Sequence, residues 1–351
     1  MDKIYTAKNK VLFFSDLHLG VHQNSQLWHK VALDLAEWID SVMKDHKLNT
    51  IIFAGDVFHD RHEIGVNTLH VSTLFFKKLS DYTIHLIPGN HDSYLSSNVN
   101  VNSVEILRSQ NIIVYTTPTT VTMNDRLVTF CPWKTDISTL NLVDMLVGHF
   151  EIQNFKMTAT KICEHGESTE SLLAKSHVTI TGHFHSRDHR VFDEGYILYL
   201  GSPYEMDFGD RGQQKGVSII DFKDFSVNFI ENLTCPKHYR LKIMDIVDKK
   251  HNNLPEIVKD NIVSIYVDTK VDTVVLDSLI TKLTQYEPLQ FRTEFDILDI
   301  AQIDSTEVKK LSLDIKTAFE EFVEHVETRA TKRELLDKCL ELYTICQTSH
   351  E

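Results

Sequence analysis

Five short apolar runs punctuate the first 190 residues: 11–14 (VLFF), 50–53 (TIIF), 83–87 (TIHLI), 144–147 (DMLV) and 178–181 (VTIT). Each is four or five residues long and dominated by β-branched, aliphatic or aromatic side chains. Runs of that length without polar alternation fit strands covered on both faces. Between the first two, residues 25–44 place Trp28, Val31, Leu35, Trp38 and Val42 at spacings of three and four. That is one face of an amphipathic helix. Strand, helix, strand makes a βαβ unit, so the fold class is α/β. The two tryptophans are expected to pack against the sheet.

The pattern changes to hairpins over 196–204 (YILYLGSPY), 215–222 (KGVSIIDF) and 225–230 (FSVNFI), strands expected to close a second sheet. It resets near Thr234-Cys235-Pro236. Beyond that point 239–246, 262–269 and 292–300 read as strands and 274–284 as a helix, a small α+β unit. The end is helical. Residues 307–328 carry Val308, Leu311, Ile315, Ala318, Phe319, Phe322 and Val326 on one face. Thr331 can cap a second helix, with Glu334 at the reciprocal capping position and Leu335, Leu336, Cys339, Leu340, Leu342 and Tyr343 apolar. Three domains are expected: 1–235, 236–302 and 303–351.

Composition changes this picture little. The chain has 351 residues, 42% hydrophobic and 25% charged, which excludes a disordered, collagen-like or disulfide-stapled chain. The net charge of −14 is divided evenly between residues 1–230 and 231–351, so no basic field draws in a polyanion. Five cysteines without a CxxC pair suggest reduced thiols of the cytoplasm. No apolar run approaches the roughly 18 residues of a membrane span, and no secretory leader is expected. Histidine is the exception: 15 of 19 lie in residues 1–230. It is a common metal ligand and proton carrier.

Those histidines gather at strand ends. Directly after the five early runs come Asp16-x-His18, Gly55-Asp56, Gly89-Asn90-His91-Asp92, Gly148-His149 and Gly182-His183-Phe184-His185. In α/β sheets the carboxyl ends of strands are where loops converge functional side chains. Residues i and i+2 of an extended segment point the same way, so both members of D-x-H and of H-x-H can reach one site. The preceding glycines permit sharp turns and close backbone approach. Carboxylate, imidazole and amide oxygen without thiolate favour Mn, Fe or Zn in a mixed N/O site. Seven candidate ligands (Asp16, His18, Asp56, Asn90, His149, His183, His185) are too many for one catalytic ion and fit two, with a carboxylate able to bridge them.

In this order the clusters resemble the calcineurin-like metallophosphoesterase superfamily over roughly residues 11–190. Asp16-Leu17-His18-Leu19-Gly20, Gly55-Asp56-Val57-Phe58-His59 with Arg61, and Gly201-Ser202-Pro203 followed by Asp207-Phe208-Gly209-Asp210 and Lys215-Gly216 are similar to the SbcD/Mre-eleven DNA-repair nucleases. Length and tail resemble the short phage recombination-endonuclease subunits of that family. The resemblance implies a two-sheet α/β-β/α sandwich, a small capping and DNA-recognition domain, and a C-terminal helical pair. It implies one metal on Asp16, His18, His185 and a bridging Asp56, and a second on Asp56, Asn90, His149 and His183. His91 would protonate or stabilise the leaving 3′ oxygen, His59 would be a second active-site histidine, and Asp92 and Arg61 would orient ligands from behind. It further implies two Mn²⁺ (Mg²⁺, Fe or Zn being allowed), and a DNA substrate cut as exonuclease and endonuclease. A coiled-coil ATPase of the SbcC/Rad-fifty type would dock on the C-terminal helices of a homodimer in the bacterial, or phage-infected, cytoplasm.

Two other readings stay open. One keeps the fold and changes the substrate to a phosphoprotein, a nucleotide or a cyclic nucleotide. The other is an inactive scaffold, which would be expected to lack ligands or His91. Lys134, Arg187, Arg190 and Arg211 are the basic residues nearest the clusters in sequence, and an ordinary solvated role is expected of each.

Overall fold

A computed structural model describes residues 4–5, 8–158, 161–251, 253–269, 271–295, 323, 331–338 and 340. Two sheets dominate it. The first has six strands in the spatial order Val227–Glu231, Gly216–Asp221, Lys10–Phe14, Thr50–Phe53, Thr83–Leu86 and Ile112–Val114. The last four are parallel; Gly216–Asp221 is antiparallel to both of its neighbours, Lys10–Phe14 and Val227–Glu231. The second sheet has seven strands: Ile4–Tyr5, Thr119–Met123, Arg126–Cys131, Val143–Gly148, Ser176–Thr181, Gly195–Tyr199 and Asp188–Phe192. Its centre is also parallel.

Period-two alternation explains how the sheets pack. Along Lys10–Phe14, Leu12 and Phe14 point into a core shared with Trp28, Val31, Leu35 and Ile39 of helix Gln26–Asp45. Val11 and Phe13 point the other way, against Val128, Phe130, Met145, Val147 and Ile180 of the second sheet. Leu146, Ile197 and Tyr199 on that sheet's far side meet Phe150, Phe155 and Leu172. The early strands are therefore covered on both faces, as their uniform apolarity predicted. Full burial of one such side chain stabilises by roughly 1.5–3 kcal/mol. The expected α/β sandwich is the fold observed.

Local differences have physical causes. The hairpin-like segments after residue 195 do not share one sheet. Gly195–Tyr199 joins the second sheet and the Gly216–Asp221 hairpin joins the first. The expected strand 239–246 ends at Lys242, and Ile243–Val247 is helical. Ile243 and Ile246 are buried three residues apart while Met244 is 39% exposed, a helical period that a short apolar run disguises. Helix Val66–Lys78 follows the second early strand, beside helix Gln26–Asp45.

Chain contacts define two compact units: residues 1–240 with 253–264 and 283–291, and residues 241–252 with 265–282 and 292–351. Strands His238–Lys242, Ile262–Val267 and Gln290–Phe295 form a three-stranded sheet in that order, and Thr273–Thr284 is helical. At residue 331 the expected capping box is present. Thr331 N–H donates to Glu334 Oε2 at 3.0 Å, and Glu334 N–H donates to Thr331 Oγ1 at 3.3 Å. Of the expected helix 307–328 the described residues include only Val323, which is helical and buried; Cys339 and Cys346 lie outside the described residues.

Candidate metal centre

All seven candidate ligands belong to the first compact unit. Asp16 and His18 follow strand Lys10–Phe14, Asp56 follows Thr50–Phe53 and Asn90 follows Thr83–Leu86, all in the first sheet. His149 follows Val143–Gly148, and His183 and His185 follow Ser176–Thr181, in the second. The carboxyl ends of both sheets thus deliver side chains to one place. Two groups have ligand atoms all within 4.8 Å of one another: Asp16, His18 and His185, and Asp56, His149 and His183. A third, His18, His59 and His91, lies beside them.

The backbone is bent to achieve this. Asp16, His18, Asp56 and His183 have φ of 57°, 47°, 59° and 93°. Each such non-glycine conformation costs on the order of 1–3 kcal/mol and persists only where its surroundings dictate it. Those surroundings are specific. Leu17 and His18 N–H both donate to Asp56 C=O, at 2.9 and 3.1 Å. His183 N–H donates to the Asp16 carboxylate at 3.1 Å. Glycine is required at position 89, where a Cβ would lie 2.2 Å from Asp56 Oδ1.

Asp92 is the anchor behind the metal-facing atoms. Its buried carboxylate accepts N–H bonds from Asp56 (2.8 Å), Val57 (3.0 Å), Phe58 (3.0 Å) and Gly89 (2.9 Å), tying the two loops together. Burial, then the charge of Asp56, pushes it up to about 6 against the pull of those amides. Arg61 lines a cavity with Asp92 but makes no hydrogen bond or ion pair among the described residues. The Gly-Ser-Pro, Asp-Phe-Gly-Asp and Lys-Gly segments form a second anchor. Lys215, only 3% exposed, donates to His185 C=O (2.7 Å), Ser202 Oγ (2.9 Å) and Asp210 Oδ1 (2.8 Å).

Hydrogen bonding settles where the imidazole lone pairs point. His149 Nδ1 is 2.7 Å from Ala54 C=O, so Nδ1 carries a proton. Its Nε2 then faces Asn90 Oδ1 at 3.0 Å and Asp56 Oδ2 at 3.2 Å. His183 Nδ1 approaches the same Asn90 oxygen at 2.8 Å. His18 Nε2 lies 3.1 Å from His185 Nε2 and 3.5 Å from Asp56 Oδ2. Acceptors crowded on acceptors are stable only around a proton or a cation. Burial holds His18 well below its usual range, opposed by Asp56 and aided by its neighbouring imidazoles, so its ring is neutral and has a lone pair to offer. The donor set is oxygen and imidazole nitrogen without sulfur, and it fits divalent ions.

At His149 a bound metal ion would compete with a proton. Burial lowers its pKa, but Asp56 more than offsets this and holds it up to about 9. Asp56 is correspondingly held well below the usual carboxylate range. Calorimetry with Mn²⁺ at pH 7, in buffers of different ionisation enthalpy, should show release of about one proton at this site, with affinity rising towards pH 9. The same raised pKa stabilises the metal-stripped fold fully below pH 6.5 and ceases to do so as pH rises through about 9. The stripped protein should accordingly melt lower at pH 9 than at pH 6.5. Proton-silent binding with pH-independent affinity would contradict both.

His91 stands beside the metal-facing atoms. Its N–H donates to Asp56 Oδ1 at 2.9 Å, and its Nδ1 is 2.7 Å from His59 C=O, which leaves Nε2 for the site. The His59 ring stacks on His91 with centroids 5.5 Å apart, and its Nδ1 lies 3.4 Å from His18 Nδ1. Sequence reading missed Glu151, whose Oε1 is 3.7 Å from His183 Nε2, and Trp133, whose ring lies 5.1 Å from that of His183. Neither stands in a cluster of recognisable spacing; Glu151 follows His149 by two residues but in a loop. Of the four basic candidates, Lys134 touches the site, 4.3 Å over Trp133 and 3.5 Å from Glu151. Arg190 is occupied by Asp188 and by Asn154 C=O. Arg187 lies over Phe229, and Arg211 is exposed.

Residues 9–199 match the calcineurin-like phosphoesterase family. Exonuclease subunit 1 of Enterobacteria phage T4 is 27% identical over 237 residues, which are 64% of this chain and 68% of the phage protein. A solved archaeal phosphodiesterase is 15% identical and covers 64% of this chain and 99% of its own, at a TM-score of 0.37.

Proposed function

Because the chain belongs to the calcineurin-like phosphoesterase family, we propose that it is a two-metal, Mn²⁺-dependent phosphodiesterase that cuts DNA, with exonuclease and endonuclease activity. The observation that carries this reading is the convergence of the two ligand groups from two different sheets, joined at Asp56. The similarity to a phage exonuclease subunit supports the choice of substrate. Asp16, His18, His185 and Asp56 would hold one ion, and Asp56, Asn90, His149 and His183 the other. Two such ions supply an activated water and neutralise charge on a phosphate ester.

The chain's residues do the rest. Asp56 faces one imidazole of each half-site and would set their spacing, and Asn90 faces both imidazoles of the second. Asp92 and Lys215 hold the loops that carry the ligands. His91, with Nδ1 committed to His59 C=O, presents Nε2 for proton donation to the leaving 3′ oxygen. Lys134, over Trp133 and beside Glu151, would add positive charge near His183. The −14 charge predicts weak DNA binding by this chain alone. An ATPase of the SbcC/Rad-fifty type on residues 303–351, a homodimer, DNA recognition by residues 236–302, a nuclease domain of 1–235 and a role in phage or bacterial cytoplasmic recombination, repair or replication complete the proposal.

A substrate panel tests it. Labelled duplex and single-stranded DNA, a phosphopeptide and a cyclic nucleotide are incubated with the full chain and Mn²⁺, Mg²⁺ or chelator. DNA cleavage with Mn²⁺ and none with chelator is expected. Turnover of only the small esters would transfer the reading to a phosphatase or nucleotide phosphodiesterase. No turnover and no Mn²⁺ binding would leave an inactive scaffold, a reading disfavoured by the presence of all seven ligands and His91.

A further inference from the structure

Every metal-facing imidazole has a second nitrogen, and what that nitrogen meets governs how firmly the first is held. At His149 the outer partner is a main-chain carbonyl, Ala54 C=O at 2.7 Å. At His183 it is a side chain. The His183 Nδ1 side is turned inward onto Asn90 Oδ1 at 2.8 Å, and Nε2 faces outward to Glu151 Oε1 at 3.7 Å. The ring cannot easily choose another orientation, being flanked by Trp133 and Phe184 at centroid distances of 5.1 and 5.0 Å.

Glu151 is itself fixed from behind. Its C=O accepts from Glu167 N–H at 2.8 Å, and Ile152 bridges to Glu167. Gly166 makes that approach possible, since a Cβ there would lie 2.3 Å from Glu151 C=O. The other carboxylate oxygen, Oε2, is 3.5 Å from Lys134 Nζ. His165 adds a contact to Oε1 at 3.4 Å. A carboxylate held on pinned backbone 3.7 Å from the outer nitrogen of an inward-turned imidazole needs to close by only a few tenths of an ångström to accept its N–H, and with a bound ion it would complete a carboxylate–histidine–metal arrangement.

We propose that Glu151 is a positioning residue for the second ion: it takes the Nε2–H of His183, keeps Nδ1 deprotonated and pointed at Asn90, and so strengthens His183 as a ligand. This rests on the two-metal reading above. Outer partners of this kind contribute about 10–100-fold to metal affinity. Their influence is local, so the half-site of Asp16, His18 and His185 should not feel the change.

The test is calorimetric titration of Mn²⁺ into the full-length wild type, E151Q and E151D, with H183A marking which binding step belongs to the second site. E151Q is expected to weaken that step about 10–100-fold and to leave the other within about twofold. E151D, which keeps the charge, should recover part of the loss, and all variants should melt with the wild type in chelator. Equal affinities for wild type and E151Q would overturn the role of Glu151 while leaving the two-metal reading intact. A loss spread over both steps, with a lowered melting temperature, would reduce Glu151 to a loop-stabilising residue. Fewer than two Mn²⁺ bound by the wild type would overturn the two-metal reading and this inference with it.

Discussion

Asp56→Asn is expected to release both cations and to lower phosphodiester hydrolysis by at least about 10³-fold. Asp56 Oδ2 lies 3.5 Å from His18 Nε2 and 3.2 Å from His149 Nε2, so one carboxylate serves both half-sites. Metal polarisation and water activation are worth several kcal/mol, and each 1.36 kcal/mol is tenfold in rate. An amide of the same shape withdraws the shared negative charge from both ions at once. It need not unfold the protein. Asn Oδ1 can still accept the His91 N–H now bonded at 2.9 Å, and its NH₂ can donate to a neutral His149 Nε2. Metal analysis after gel filtration should show well under one Mn²⁺ per chain, against two for the wild type. Retention of both ions with full activity would show that Asp56 is not the bridge.

His91→Ala should have the opposite signature. Turnover of DNA is expected to fall about 10²–10⁴-fold, the usual worth of a positioned acid, while two Mn²⁺ remain bound. The reason is geometric. His91 reaches Asp56 through its main-chain N–H, and its imidazole is held by His59 C=O, so removing the ring spares the ligand atoms. His59 is subtler, because its carbonyl orients His91 and survives any side-chain substitution. His59→Ala should therefore retain more activity than His91→Ala. Digestion by pure His91→Ala at the normal rate with Mn²⁺ would remove His91 from the mechanism.

The two variants probe the two roles that the resemblance implies for these residues. Asp16, His18, Asp56, Asn90, His91, His149, His183 and His185 are legible because each follows a strand that is apolar on both faces. Such a strand has a definite end, and its last turn is the first place a polar side chain can stand. The i, i+2 spacing marked the pairs but not their direction: Asp16, His18 and His183 have left-handed φ instead of extended backbone, and His183 and His185 fall in different ligand groups. Glu151 and Trp133 had no such signal. They lie in loops whose course is set by Glu167 and Ser96 contacts far along the chain. Lys215 was visible as a motif but not as a device, because nothing local shows a lysine reaching back thirty residues to His185 C=O.

What the sequence determined by itself is the alternation of strand and helix, the fully covered strands, the cap at Thr331 and the composition of the candidate ligand set. Local spacing carries these, because they depend on the period of a strand or helix and on ligand chemistry. Only the tertiary structure decided that Gly195–Tyr199 and Gly216–Asp221 part to different sheets, that Ile243–Val247 coils instead of extending, and that ligands from two sheets meet at Asp56. It also decided the inward turn of His183 and the strained φ at four candidate ligands. Those choices depend on which buried faces find each other, and burial between distant segments overrides local preference.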